Sequence, residues 1–410
     1  MKKDLGLIAS LDMGTTKVSA MIAEKRNGIA RVIGVGTTAS DGLKHGVIVD
    51  IDGAAASIEK AVKEAERMAG VSVKYYSVGV AGEHIRSMNS SGVVAIPNLE
   101  AEITKEDVSR AITVAQNFSM PYDREIIHTL PTEFIVDEQR GIRQPAGMYG
   151  SRLEVRVHVV TASRAALDNI AKALLSAGVE PQDLIFEPLA SCRAVLTEEE
   201  QELGVMLIDI GGGTTDVMII VEKGVHASGV IGLGGNDVTS DIAYGLRTAQ
   251  TSAEEIKIRH GCALSTMVPA GETIEVPGIG FKDKRVVGRQ LLAGIIEPRM
   301  KELFSLIDEQ ITKNDFKISL GAGVVLTGGS SMLESTRELA EQIFDLPVRI
   351  GSPGSVDGLI EVVSHPMFAT GVGLLLYDGE MEQRGRERKS ISGWWRNSLG
   401  QIKRAIASFI

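Results

Sequence analysis

Ile208–Asp209–Ile210–Gly211–Gly212–Gly213–Thr214–Thr215–Asp216–Val217 decides the fold, and it follows an apolar run that reads as a buried strand. Leu11–Asp12–Met13–Gly14–Thr15–Thr16–Lys17–Val18 carries the same order of Asp, Gly and Thr near the start of the chain. Both copies run on to a Glu-Lys pair, Glu24–Lys25 and Glu222–Lys223. Self-similarity at such an offset, near half the chain, predicts two related halves. Aligned on the threonines, the second turn holds two extra glycines, Gly212 and Gly213. Glycine lets a backbone turn tightly and approach a ligand closely. Successive N–H groups in such a turn converge on an anion. An aspartate at the strand end can hold a hydrated Mg²⁺, which keeps several waters when it binds phosphates. A single D-x-G-T-T is equally a plain hairpin turn, where Asp and Gly are favoured. Two matching copies weigh against that reading. A third glycine turn, Val325–Leu326–Thr327–Gly328–Gly329–Ser330–Ser331, completes a set that predicts a nucleotide.

Other phosphate loops fail. No G-x-x-x-x-G-K-[ST] occurs. Gly34–Val35–Gly36–Thr37–Thr38–Ala39 fits a degenerate dinucleotide fingerprint, but Asp41–Gly42 follows it and not a helix.

The 410 residues suffice for two core-bearing domains and an appendage. Aromatics are only 4%, so the cores must be aliphatic. Cys192 and Cys262 match no metal spacing, and a reducing cytosol is the natural reading. MKKDLGLIASLD looks superficially like a signal peptide, but Asp12 ends its short apolar run. No run of 18 apolar residues predicts a membrane span. The net charge of -10 hides an asymmetry: Arg384 to Ile410 carries +6, which leaves -16 elsewhere. An acidic body excludes a nucleic-acid role, and a basic tail suits an anionic surface.

Alternating strands and helices predict an α/β architecture. Residues 1–83, 161–204 and 362–378 read as the first half and 84–160 as a small α+β insert, with Thr104 and Asp107 spaced like a capping box. Residues 205–361 read as the second half, with a lid at roughly 245–315. Pro298 should bend or interrupt the helical pattern from Arg289 to Ile311. Residues 379–391 read as a flexible linker.

The three turns resemble the phosphate-1, phosphate-2 and adenosine motifs of the actin, sugar-kinase and heat-shock-ATPase superfamily. Glu187–Pro188–Leu189–Ala190–Ser191 and Ala369–Thr370–Gly371–Val372–Gly373–Leu374 look like its two connecting helices. Within it the chain is similar over its whole length to the bacterial FtsA cell-division family. The insert, SDIAYGLRTAQTSAEEIKIRHGCAL, RQLLAGIIEPRMKELFSLID and the terminal helix carry that likeness. The resemblance implies an actin-like, duplicated fold with ATP and Mg²⁺ in the cleft. Gly14, Thr15, Thr16 and Lys17 would hold phosphates from one side, and Gly211, Gly212, Gly213, Thr214 and Thr215 from the other. Asp12 and Asp209 would hold Mg²⁺ through water. Gly328, Gly329 and Ser330 would bind the adenosine end, with Glu254 and Lys257 closing over base and ribose. Glu187 stands where relatives orient the attacking water, or is simply a carboxylate favoured at a helix start. Hydrolysis is therefore expected to be slow at most.

From Ile391 to Ile410, Trp395, Leu399, Ile402, Ile406 and Phe409 step by helical spacing, within about 40° of one line. Trp394 falls off that stripe, at the place of a headgroup boundary. With basic borders, such a helix suits the lipid interface better than the protein's own core. The resemblance further implies self-association into filaments, attachment to the cytoplasmic face of the cell membrane at the septum, and contacts of the insert with other division proteins. It also implies binding of the acidic, apolar FtsZ C-terminal peptide near Arg285, Arg289 and Arg299, charges that otherwise read as a solvated helix face. A small-molecule kinase, or a scaffold like MreB or the pilus-assembly ATPases, remains the alternative on this fold.

Overall fold

The computed structural model describes residues 6–26, 28–97, 102–278 and 284–383. Strands β1 (Gly6–Met13), β2 (Lys17–Arg26) and β3 (Ile29–Ala39) form an antiparallel meander. A small hairpin, β4 (Leu43–Lys44) and β5 (Val47–Ile48), leads into helix α1 (Ile51–Ala69). The Asp50 side chain accepts the Asp52 N–H to start α1, and Gly70 ends it with a left-handed φ of 69°. The helix lies so close on β3 that a Cβ on Gly36 would sit 1.9 Å from the Ala61 carbonyl. The glycines of the dinucleotide-like stretch thus serve strand–helix contact. β6 (Tyr75–Val80) then pairs parallel to β1.

The chain next leaves for a sheet of its own. Strand β7 (Ile85–Ala95) is followed by α2 (Lys105–Gln116), β8 (Arg124–Val136), β9 (Gln139–Ile142) and β10 (Arg152–Ser163). The order is β7-β10-β8-β9. The expected capping box forms: Asp107 N–H donates to Thr104 Oγ1 at 3.1 Å, and Thr104 N–H to Asp107 Oδ2 at 2.9 Å. Val94, Ile103, Ala111, Leu153, Val155 and Val157 make a separate core. The inner ends, Ile85, Ile127 and Val160, are rooted in the core of the first half. Helix α3 (Arg164–Ser176), edge strand β11 (Glu180–Phe186), α4 (Glu187–Val195) and the short α5 (Glu198–Leu203) follow.

The second half repeats the first. β12 (Val205–Ile210), β13 (Thr215–Val221) and β14 (Gly224–Ile231) form the same meander. After α6 (Gly235–Leu246), α7 (Gln250–His260), β15 (Thr273–Pro277), β16 (Lys284–Gly288) and α8 (Arg289–Lys313), β17 (Gly323–Thr327) joins β12 in parallel. Helix α9 (Thr336–Phe344) leads to β18 (Val348–Ile350), which extends the sheet. The chain then returns with β19 (Val356–Gly358), α10 (Ile360–Val363) and α11 (Ala369–Gln383) to the first half. The sheets read β11-β6-β1-β2-β3-β19 and β18-β17-β12-β13-β14, the same plan in order and direction over five strands, with β19 added at the edge of the first. Along β12, Val205 and Leu207 face one core while Met206, Ile208 and Ile210 face the other.

Two expectations change. α8 runs as one helix across Pro298. A proline inside a helix costs about 3 kcal/mol. Leu292, Ile296, Met300, Leu303 and Ile307 are buried on one stripe spanning it, and each contributes about 1.5–3 kcal/mol. The stripe wins. Helix α11 extends through Gln383, into the stretch read as a linker. Residues 384–391 and the terminal stripe, Trp394, Trp395, Leu399, Ile402, Ile406 and Phe409, lie outside the described residues. Among the described residues no helix is long and apolar enough to cross a membrane.

Candidate nucleotide site

The first two glycine turns are β-hairpin turns of equal length. Gly14 N–H donates to Lys17 O and Gly211 N–H to Thr214 O, both at 2.9 Å. Met13 pairs with Val18 and Ile210 with Thr215. The alignment on the threonines is therefore corrected. Gly212 and Gly213 replace Thr15 and Thr16, and nothing is inserted. The reason is steric. A Cβ on Gly212 would lie 2.3 Å from Thr16 Cγ2, and one on Gly213 would lie 2.6 Å from Thr15 Oγ1. The turns meet face to face, and one side must be bare.

Around them lies a cavity of about 520 Å³. Asp12, Gly14, Thr15, Thr16, Lys17, Glu187, Asp209, Gly211, Gly212, Gly213 and Thr214 line one end. Glu254, Lys257, Gly328, Gly329 and Ser330 line the other, beside the apolar Val238, Ile258, Met332 and Leu333. Thr215 is a further correction: it does not line the cavity. It begins β13 fully buried and donates its hydroxyl to the Leu233 carbonyl at 2.8 Å. Strand alternation sends its side chain away from the cleft.

The end beside the two hairpin turns is rich in buried carboxyl groups. Burial, offset by the Lys17 charge and reinforced by Asp209, raises Asp12 to about 6. Burial also raises Asp209, against hydrogen bonds from Ser191 Oγ (2.7 Å) and Thr370 Oγ1 (3.3 Å). Those two residues belong to α4 and α11, so both connecting helices converge on one carboxylate. Glu187 opens α4 and is raised well above its usual range by burial, then by Asp12, Asp216 and Asp209. Its carboxyl fits because a Cβ on Gly79 would meet Glu187 Oε1 at 3.0 Å. Glu187 is thus both the first residue of α4 and part of the cavity lining. Lys17 Nζ donates to Met367 O at 2.5 Å and lies 4.0 Å from Asp12 and 4.4 Å from the Phe368 ring centroid. Burial lowers its pKa.

Asp216 escaped the sequence reading. It pairs across the ladder with Asp209, as Ser19 does with Asp12. Burial first, then Asp209 and Asp12, raise it well above the usual range. Its Oδ1 is buried and has no hydrogen-bond partner among the described residues. The period-two spacing from Thr214 was the available signal. His45 was missed too. It sits at the β4–β5 turn and its Nδ1 is 2.8 Å from Gly213 O, across the cleft. A lone histidine leaves no pattern to read.

At the far end, Lys257 Nζ donates to Gly235 O and Thr239 Oγ1 at 2.8 Å and pairs with Glu254 at 2.7 Å. Ser330 Oγ donates to Gly211 O at 3.0 Å, which ties the third turn to the second. Arg285, Arg289 and Arg299 lie away from the cavity lining. Arg285 donates to the Leu246 carbonyl. Arg289 donates to His260 O at 2.9 Å and pairs with Glu272 and Glu334. Arg299 makes two bonds to Asp241, at 2.8 and 3.2 Å, and a third to Glu302.

Duplicated sheets with facing hairpins at a central cleft define the actin-like ATPase fold. Among solved structures, the PilM–PilN type IV pilus biogenesis complex matches with a TM-score of 0.66 at 18% identity, covering 90% of this chain and 98% of that one. MreB5 of Spiroplasma citri bound to ADP matches at 0.56 and 16%, over 92% and 98%. Residues 206–373 match the family model "Cell division protein FtsA", and residues 82–161 match "SHS2 domain inserted in FTSA". Cell division protein FtsA of Pseudomonas aeruginosa is 47% identical over 94% of this chain and 92% of its own length. That of Escherichia coli is 38% identical over 95% and 96%. The chain belongs to the FtsA family of cell-division proteins.

Proposed function

We propose that this chain binds ATP with Mg²⁺ in the cleft, assembles with its own kind, and tethers FtsZ filaments to the cytoplasmic membrane face at the septum. The observation that carries the nucleotide is the apposition of Gly14–Lys17 and Gly211–Thr214 over a group of buried carboxyls. Asp12 and Asp209, one residue from the strand ends, line the cavity with Asp216, whose Oδ1 is an orphan, and Asp12 and Asp209 would hold a hydrated hard cation through water. Bound there, the cation would neutralise phosphate charge. The turn N–H groups and Lys17 would hold the phosphates. Val238, Ile258 and Met332 offer an apolar face to a base, and Lys257 and Glu254 would turn from each other to the ribose. A water-orienting base works best ionised. Burial raises the Glu187 pKa and so disfavours its ionised form, and turnover is therefore expected to be slow.

The FtsZ peptide is assigned to the lid. Tyr244 on α6 (89% exposed), Val286 on β16 (67%) and Leu291 on α8 present apolar surface beside Arg285 and Arg299. Gly245 and Ile295 pack α6 against α8 there. The stripe Trp395–Phe409 would supply the membrane contact. A single such helix binds reversibly, and filaments add avidity. The test is reconstitution: with Mg·ATP, the full chain should recruit FtsZ filaments to vesicles containing anionic lipid, and a chain ending at 391 should not. Equal recruitment by both chains refutes the tether.

A further inference from the structure

His128 belongs to the inserted sheet, on β8, yet it is spent on the nucleotide core. Its Nε2 accepts the Phe186 N–H at 2.9 Å. Phe186 ends β11, the outer strand of the first sheet, so an N–H on its outer side finds no further strand. Phe186 is also the residue before α4, which has no side-chain cap, and Glu187 is the first residue of that helix. The ring of Tyr377, on α11, meets the His128 ring edge-on at 6.3 Å. The insert therefore touches the junction of β11, α4 and α11, one residue from a cavity-lining carboxyl.

The same sheet grips the opposite half. His158 on β10 is buried, with Nδ1 2.7 Å from Asn89 Oδ1 and Nε2 2.8 Å from Ser228 Oγ on β14. Ser87 Oγ donates to Ser228 O at 2.7 Å, and Asn89 Nδ2 to His226 O at 3.0 Å. One sheet is thus hydrogen-bonded to both halves.

We propose that His128 is a positioning residue of the nucleotide site: its bond to Phe186 N–H sets the start of α4 and Glu187, and so couples occupancy of the phosphate end to the inserted sheet. This rests on the nucleotide reading above. The chemistry asks only for a neutral ring that accepts at Nε2. Burial lowers His128 to about 4, which keeps it so. Coupling is reciprocal. A partner that stiffens the insert would change nucleotide affinity, and nucleotide would stiffen the insert.

Hydrogen exchange on the full chain tests this, with Mg·AMPPNP as the probe and its affinity measured by titration. In the wild type, amides of 126–130 should exchange about threefold more slowly, or slower still, with saturating probe. His128→Gln keeps an acceptor and should keep that response. His128→Leu should lose it while still binding the probe. If His128→Leu does not fold, His128→Met takes its place. No response in the wild type, or the same response in all variants, overturns the proposal. No measurable affinity in the wild type instead overturns the nucleotide reading itself.

Discussion

Asp12, the penultimate residue of β1, has its carboxyl buried and acted on by the Lys17 and Asp209 charges, and burial lifts its pKa from 3.8 to about 6. The folded chain therefore holds this proton more tightly than the unfolded chain. Between pH 4 and 6, roughly, folding stability falls as pH rises, and above that window the loss is complete. The contribution is up to about 3 kcal/mol. Asp209, Glu187 and Asp216 shift the same way, so they add to the slope. Asp12→Asn should raise the Tm of the empty protein at pH 7.5 and flatten its decline from pH 4.5. The same change should weaken Mg·ATP binding at least tenfold. A ligand site built on unneutralised charge trades stability for affinity. A lower Tm at pH 7.5 in the variant would contradict this account.

At the scale of elements, the lid joins α6 to α8 through Arg299 and Asp241. The basic residues read from sequence as peptide contacts thus have structural partners. Arg299→Glu would set a carboxylate against Asp241 and Glu302, and its Tm should drop. Loss of peptide binding in that variant would not distinguish contact from collapse. Tyr244→Ala changes an exposed side chain, and surface changes usually stay within about 0.5 kcal/mol. It should leave Tm unchanged and weaken an FtsZ tail peptide about tenfold in a titration. Unaltered affinity would move the docking surface elsewhere. Elements were legible from sequence where the signal was local, as in the Thr104–Asp107 capping box that opens α2. They were not where long-range burial overrode local chemistry, as across Pro298.

For the whole molecule, ligand that binds only the folded state stabilises it by mass action, about 2.7 kcal/mol at one hundred times Kd. The cleft joins both halves, so Mg·ATP should raise a single cooperative Tm rather than that of one half. A chain ending at 391 should show the same rise, because among the described residues none beyond Thr370 lines the cavity. A smaller rise in the shorter chain would mean that the tail contributes to the site. Equivalent sheet orders explain why duplication was visible as sequence: each half needs the same strand, turn and strand to present its glycine hairpin.

By itself the sequence determined the two turns, the aspartates before them and the capping box that opens α2. These depend on local backbone freedom and on short-range periodicity, both written in neighbouring residues. Tertiary structure alone decided the equal length of the turns, Thr215 facing away, Asp216 entering the charge cluster, and His45 and His128 reaching across subdomains. Each of those depends on which distant backbone comes within a few ångströms, and no local pattern encodes that distance.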